Sequence, residues 1–414
     1  MPKQSLTRFI NIALRGITLA SKFLLIFFLA KFLEPKELGL YGLMTVTISY
    51  ALYLLGFDFY TYTTREILKR ERNEWGGLIK DQGALSFVLY CIFLPLLSMI
   101  FIKGLLPWSV AGWFFVLLVL EHLTQEISRL LITISEQLLA SLMLFMRSGI
   151  WAVIVTALMF FCADTRDLNM VLGAWTLGSL LALALGVYRL KQMNISGWRK
   201  KIDWQWIGKG LKIAIPLLIA TLALRGLFTV DRYWFADLAS IETLGAYVLF
   251  MGISSALVSF LDAGVFAFIY PGLISAYHNK DSAAFKLKLR GLLLQTLIFA
   301  GVFAIVALLI IDPLLTWLDK PLYLEHKDLF PWTLLITLLY SIGMIPHFAL
   351  YAQGIDRPII HSHIASFLIF FPVTWLLSHY WPLQAVPAGL CIAFLFILLW
   401  KCLAFVRLTP AQYR

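Results

Sequence analysis

Residues 9–32 read FINIALRGITLASKFLLIFFLAKF. The stretch exceeds the ~20 mostly apolar residues that a helix needs to cross a hydrocarbon core. It is interrupted on one side only. Arg8, Asn11, Arg15, Thr18 and Lys22 recur at spacings of 3, 4, 3 and 4, which stacks them on one helix face. A charged side chain at mid-membrane costs roughly 2.5–3.5 kcal/mol even on the lenient insertion scale. Such a stripe is sustainable where it faces water or a polar partner. The two deep charges, Arg15 and Lys22, are both cationic, so the expected visitor to that water is an anion. Arg8 lies close enough to the helix start to be an ordinary flanking charge.

The rest of the chain repeats the apolar run without the stripe. Of 414 residues, 61% are hydrophobic and 14% charged, a composition that excludes a soluble domain. We expect an all-α polytopic membrane protein with twelve transmembrane helices. They fall at about 6–32, 39–60, 83–103, 108–131, 138–162, 168–189, 207–230, 244–273, 291–311, 331–352, 359–379 and 384–406. The first carries mid-segment charges and lacks a small-residue cleavage site, so it reads as a retained helix and not a signal peptide. An even count puts both termini on one side. With the N-terminus inside, cytoplasmic segments hold nineteen Lys and Arg against seven outside, which expects both termini in the cytoplasm. The formal net charge of +11 then follows from the same rule, and no nucleic-acid partner is implied. Trp108, Tyr233, Trp234, Trp332 and Trp381 fall near expected helix ends, where an aromatic belt sits.

The chain also repeats itself. Leu38-Gly39-Leu40-Tyr41 opens the second helix and Leu244-Gly245-Ala246-Tyr247 opens the eighth, an offset of 206 residues. Six helices per half is an even number, so the repeat is parallel, with a pseudo-twofold axis along the membrane normal. We expect an N-lobe at 1–190, a cytoplasmic linker at 191–206 and a C-lobe at 207–414. A substrate site is expected between the lobes near the midplane.

Ionisable residues inside these helices are the candidate site. Arg15 and Lys22 lie about 10 Å apart along their helix, so the two cations can reach different parts of one anion. Asn11 and Thr18 share their face. In the second half Arg225 lies within the apolar run, and Lys22 carried forward by 206 falls on Phe228, less than one turn away. We place Arg15, Lys22, Arg225, Asn11 and Thr18 as substrate contacts. The alternative for the cations is pairing with intramembrane carboxylates. Glu121 and Glu126, beside His122 and Arg129, are candidates for proton coupling, because buried carboxylates carry protons near neutrality. The competing reading is a neutralised network with Arg147. Asp231 and Arg232 read as a gate or belt pair near the external end of the seventh helix. Asp58 and Asp262 occupy corresponding regions of helices two and eight, near the cytoplasmic end, and three roles are open to them: capping helix seven, pairing with Arg15, or an inner gate. No catalytic grouping, metal site or cofactor is expected. Gly208-Lys209-Gly210 lacks P-loop spacing, His361 and His363 point to different faces, and the four cysteines lack metal spacing.

The pattern resembles the multidrug/oligosaccharidyl-lipid/polysaccharide exporter superfamily, specifically its polysaccharide transporters and O-antigen flippases (Wzx type). The residues that carry it are LAKFLEPKELGLYGLM (29–44), LLGFDFYTYTTREI (54–67), GKGLKIAIPLL (208–218) and TVDRYWFADLASIETLGAYVLF (229–250). The resemblance implies alternating access between two lobes around a cationic cavity. It implies movement of an undecaprenyl-diphosphate-linked oligosaccharide from the cytoplasmic to the periplasmic leaflet. It also implies contact with membrane lipids and with glycan polymerase machinery. It names neither the glycan nor the coupling ion. Two rivals remain. A membrane polymerase or glycosyltransferase of the same pathway would need a larger external loop than EPKEL offers. A multidrug cation antiporter of the same fold would need a cavity of net negative charge.

Overall fold

A computed structural model describes residues 2–414, with side chains described from Phe9 onward. Arg8 therefore has no described side chain. Among the described residues the regular structure is helical, and twelve helices are long and apolar enough to cross a membrane. The first six spans are Pro2–Phe32, Pro35–Gly56, Trp75–Ile102, Ala111–Thr133, Gln137–Phe161 and Leu168–Gln192. The next six are Trp204–Leu238, Ile241–His278, Ser282–Leu318, Leu329–Ala352, Arg357–Ser378 and Pro382–Leu408. The protein is a multi-pass membrane protein.

Several ends differ from the periodicity reading, each for a local reason. The second span stops at Gly56 and not at 60. Phe57 and Asp58 both have positive φ, 49° and 51°, a region that non-glycine residues rarely occupy and that no helix continues through. The chain restarts as a separate helix, Tyr60–Lys69. The seventh span runs on to Leu238, so Asp231 and Arg232 lie two turns inside it and not at its end. Starts are set by side-chain caps. Asp203 Oδ1 accepts from Trp206 N at 2.8 Å, Ser240 Oγ from Thr243 N at 3.0 Å, and Asp281 Oδ1 from Ala284 N at 2.9 Å. Two spans contain one turn of π-helix, Met146–Ile150 in the fifth and Asp262–Phe266 in the eighth. Each widened turn carries a charged residue named above or its partner, Arg147 and Asp262.

The chain packs as two compact units. The first is residues 1–33 with 43–218, the second residues 34–42 with 219–414. The start of the seventh span thus belongs to the first unit. Trp206 packs edge-on to Phe59 at 5.4 Å, and a Cβ on Gly210 would lie 2.4 Å from the rings of Phe59 and Tyr62. Within the second unit the repeated motifs meet each other. A Cβ on Gly39 would lie 2.2 Å from the Ile241 carbonyl oxygen, and one on Gly245 would lie 2.1 Å from the Pro35 carbonyl oxygen. The two contacts are mirror roles under the 206-residue offset: Gly39 maps to Gly245 and Pro35 to Ile241. A reciprocal contact of this kind is what a twofold relation produces. Only glycine lets two helix backbones come this close.

Candidate functional site

In the first unit the polar stripe of the first span divides in two. Asn11 and Arg15 gather on Ser141 of the fifth span. Arg15 Nε donates to Ser141 Oγ at 3.1 Å, and that hydroxyl donates to Asn11 Oδ1. Arg15 and Lys22 are both exposed. Thr18 is not: it is buried, and its hydroxyl donates to its own backbone at Leu14 O, 2.7 Å away. The Cα of Thr18 lies against Gly149 in the π turn of the fifth span. Thr18 is therefore a packing residue, with its hydroxyl already used.

Lys22 has Arg147 and Glu121 as charged neighbours. Glu121 is buried, 8% exposed, and its carboxylate is well partnered. Oε1 accepts from Trp175 Nε1 at 2.8 Å and from Ser179 Oγ at 3.0 Å, and Oε2 faces Arg147 Nε at 3.5 Å. Trp151, whose ring stacks on Trp175 at 6.0 Å, donates to the Arg147 carbonyl. Glu126 forms a second centre one turn on. It receives Gln82 Nε2 and Arg129 Nη1, the latter at 2.6 Å, and the Arg129 guanidinium lies 3.6 Å over the Tyr60 ring. His122 Nδ1 pairs with Tyr90 Oη at 2.7 Å, and its Nε2 lies near Gly56, as does Glu126 Oε1. Asp58 is buried at the backbone break, and its carbonyl accepts from Thr61 Oγ1 at 2.8 Å.

In the second unit Arg225 is exposed on the seventh span, and its carbonyl accepts from Thr229 Oγ1 at 3.0 Å. Asp262, exposed at the start of the π turn, has Arg225 as its charged neighbour. Asp231 is fully buried. Its Oδ2 accepts from Arg232 Nη1 at 2.8 Å and from Tyr247 Oη at 3.0 Å, while Oδ1 has no hydrogen-bond partner. Tyr247 stacks on Phe235 at 4.6 Å. This is an internal strut of the second unit, tying the seventh span to the repeated motif that opens the eighth.

Sequence reasoning passed over one cluster. Lys401 Nζ lies 3.1 Å from His363 Nε2 and 3.3 Å from His347 Nδ1. His347 was never singled out, and Lys401 hid in the apolar run FILLWKCLAF (396–405). A lysine inside a spanning helix is itself a signal, but nothing in one helix says which residues of two others will face it.

No family model and no curated protein matches the sequence. Solved structures do match it in shape. One is a multidrug resistance transporter of the MATE family within the MOP superfamily, in an inward-facing conformation. It superimposes with a TM-score of 0.75 at 13% identity, over 96% of this chain and 100% of its own. The fold is the MATE fold. A mutant of the Vibrio cholerae MATE transporter VcmN gives 0.64 at 15% identity, over 100% of both chains. A MOP superfamily transporter from Pyrococcus furiosus, whose binding pocket of reverse polarity suggests a different function, gives 0.59 at 14% identity, over 98% of this chain and 95% of its own.

Proposed function

We propose that this protein is a flippase that carries an undecaprenyl-diphosphate-linked oligosaccharide from the cytoplasmic to the periplasmic leaflet. It does so by alternating access, in the bacterial inner membrane. The observation that carries the reading is the charge balance of the spans. Glu121, Glu126 and Asp231 each already hold a guanidinium, from Arg147, Arg129 and Arg232, and the exposed Asp262 has Arg225 as its charged neighbour. Arg15 and Lys22, by contrast, are exposed cations on one helix. A drug cation needs a carboxylate that is still unmatched, whereas an anionic lipid needs what the first span offers. This argument favours the flippase over a multidrug antiporter, the reading that the multidrug MATE neighbours support.

The chemistry follows from differential cost. A diphosphate taken through hydrocarbon alone loses its hydration, and cations on the cavity wall replace it with charge-assisted hydrogen bonds. Arg15, with its Nε engaged by Ser141, presents the rest of a rigid fork, and Lys22 acts as a point charge. Arg225 supplies the corresponding cation of the C-lobe. Several spaced cations of moderate affinity allow hand-over and release. Arg15→Ala, Lys22→Ala and Arg225→Ala are each expected to reduce surface glycan in a complemented deletion strain while membrane levels hold. Lys22→Arg should retain more function than Lys22→Gln. Full complementation by all three alanine variants would refute the assignment. Drug resistance conferred by the parent, with no accumulation of inner-leaflet lipid-linked glycan in the deletion strain, would favour the antiporter.

A further inference from the structure

We propose that Lys401, His347 and His363 form a proton-binding site inside the second unit, and that its loading and unloading drive the transport step. Three spans contribute one group each: His347 from the tenth, His363 from the eleventh and Lys401 from the twelfth. Lys401 and His363 are almost wholly buried, 2% and 6% exposed. The two imidazole planes are parallel to within 7°, their centroids are 6.3 Å apart, and the lysine nitrogen contacts one nitrogen of each ring. An ammonium has only donors and a neutral imidazole has one acceptor nitrogen. The geometry therefore describes a single cation held between two neutral rings. Ala220 of the seventh span is the backbone neighbour of His363, and His363 turns Nε2 toward Lys401.

The cluster has no counter-ion of its own. The tenth, eleventh and twelfth spans contain no Asp or Glu anywhere along their length. Their remaining titratable side chains are Tyr340 and Tyr351 on the tenth, Arg357 and His361 on the eleventh, and Cys391, Cys402 and Arg407 on the twelfth. On the seventh span, where Ala220 is the backbone neighbour of His363, the charged groups of this unit are Arg225, Asp231, Arg232 and Asp237. The eighth and ninth spans, which pack on the tenth, carry Glu242, Asp262, Lys286, Lys288, Arg290 and Asp312. Among the described residues no carboxylate lies within ion-pair distance of Lys401. The ion pairs of Glu121, Glu126 and Asp231 inside other spans use arginine. A cation sequestered among bases has no such stabilising partner, and lysine, unlike arginine, becomes neutral by releasing one proton. A second proton would place two cations in direct contact, so the site holds one or none.

A cavity of about 650 Å³ opens at the ends of the eleventh and twelfth spans, lined by Arg357, His361, Trp400, Ala404 and Arg407. The cluster itself does not line it: Ala404 is one turn from Lys401, and His361, two residues from His363, lies on another face of its helix. In the proposed step, the Lys401 ammonium passes its proton to an imidazole nitrogen and from there to water, and rebinding reverses the path. Nothing but the proton is exchanged. The next element along is the seventh span at Ala220, just past Pro216, so loss of charge at the cluster acts on a helix that proline has already weakened.

Proton binding here stands on the cluster alone, and only its coupling rests on the flippase reading, so the test has two arms. In the first, the cargo-free protein is labelled with 15N-histidine in lipid nanodiscs and titrated from about pH 5 to about pH 9 by NMR, a range that spans ordinary histidine behaviour. The parent should show His347 and His363 responding together in one step. Lys401→Arg, which keeps a cation that does not deprotonate, and Lys401→Met should both lose that common step. Identical titration in the parent and in both variants would overturn the site. In the second arm, liposomes carrying the protein receive a fluorescent polyprenyl-diphosphate probe under an imposed pH gradient. One proton per step allows at most about tenfold acceleration per pH unit. The parent should show such a dependence, and in Lys401→Arg the ratio of rates with and without the gradient should fall to near one. An unaltered gradient response in Lys401→Arg would overturn the coupling. A parent that leaves the probe unmoved while showing the shared histidine step would refute the flippase reading and leave the proton site standing.

Discussion

Glu121 shows how one carboxylate is made tolerable in an apolar helix. Trp175, Ser179 and Arg147 meet both of its oxygens. The pair is unequal, because Arg147 Nε and Nη1 have no hydrogen-bond acceptor beyond this 3.5 Å approach. Breaking a buried pair from one side strands the other charge, at a cost of about 3–5 kcal/mol. Glu121→Gln should therefore lower the melting temperature in detergent, and Glu121→Gln with Arg147→Met should recover most of it. Equal melting of parent and single variant would remove the ion pair from the stability argument. The same substitution tests coupling. Transport by Glu121→Gln and Glu126→Gln that keeps the parent's pH profile would make both carboxylates structural. Tyr247 is a simpler case. Its hydroxyl donates to a buried, charged Asp231 whose other oxygen has no partner. Tyr247→Phe should destabilise by about 1.5–3 kcal/mol, the range for hydrogen bonds to charged groups, as read from thermal unfolding. At this scale the sequence was a partial guide. Spacing placed Arg15, Thr18 and Lys22 on one stripe, yet Thr18 faces the fifth span while the two cations are exposed. A helical period gives the face and not what covers it.

At the scale of elements the repeated Leu-Gly-x-Tyr motif is the informative one. Its weight in the sequence came from falling at matching places in two halves. The structure supplies the reason for the glycines: Gly39 and Gly245 are the mutual contact of the second and eighth spans. Gly39→Val or Gly245→Val would drive a side chain into a backbone carbonyl, which no rotamer change relieves. Each should reduce the yield of folded protein in the membrane, measured by gel filtration in detergent. Gly83, with open space around its Cβ position, is the control. Gly83→Ala should be neutral or stabilising by up to about 1 kcal/mol, as glycine is a poor helix former. Normal folding of both valine variants would show that the close approach is dispensable. The break after the second span was not legible. Phe57 and Asp58 carry no glycine or proline signal, and their left-handed conformation is imposed by what surrounds them. The π turns at Met146–Ile150 and Asp262–Phe266 were equally invisible, since a single extra residue in a helix leaves no compositional trace.

For the whole molecule, the lysine and arginine asymmetry yields a topology that can be measured. Green fluorescent protein fused after Arg414 should fluoresce, and alkaline phosphatase at the same point should be inactive. Phosphatase inserted in the segment 103–107 should be active. The opposite pattern would invert the molecule and with it the proposed direction of transport. The fold comparison bears on architecture alone, at 13–15% identity. The pairing of Glu121, Glu126 and Asp231 with arginines becomes visible only when all spans are assembled.

The sequence by itself determined the class, the number of spans and the internal repeat. These properties are written in hydropathy over windows of twenty residues, where the hydrocarbon thickness and the unmet hydrogen bonds of the backbone leave a chain few choices. It also set out the ionisable residues that membrane burial makes expensive. Tertiary structure alone decided how those residues are matched: Glu121 with Arg147, Glu126 with Gln82 and Arg129, Asp231 with Tyr247, Lys401 with two histidines. Partners from separate helices are chosen by packing, and packing depends on contacts between residues as far as 130 positions apart, as between Asn11 and Ser141. No local period encodes them.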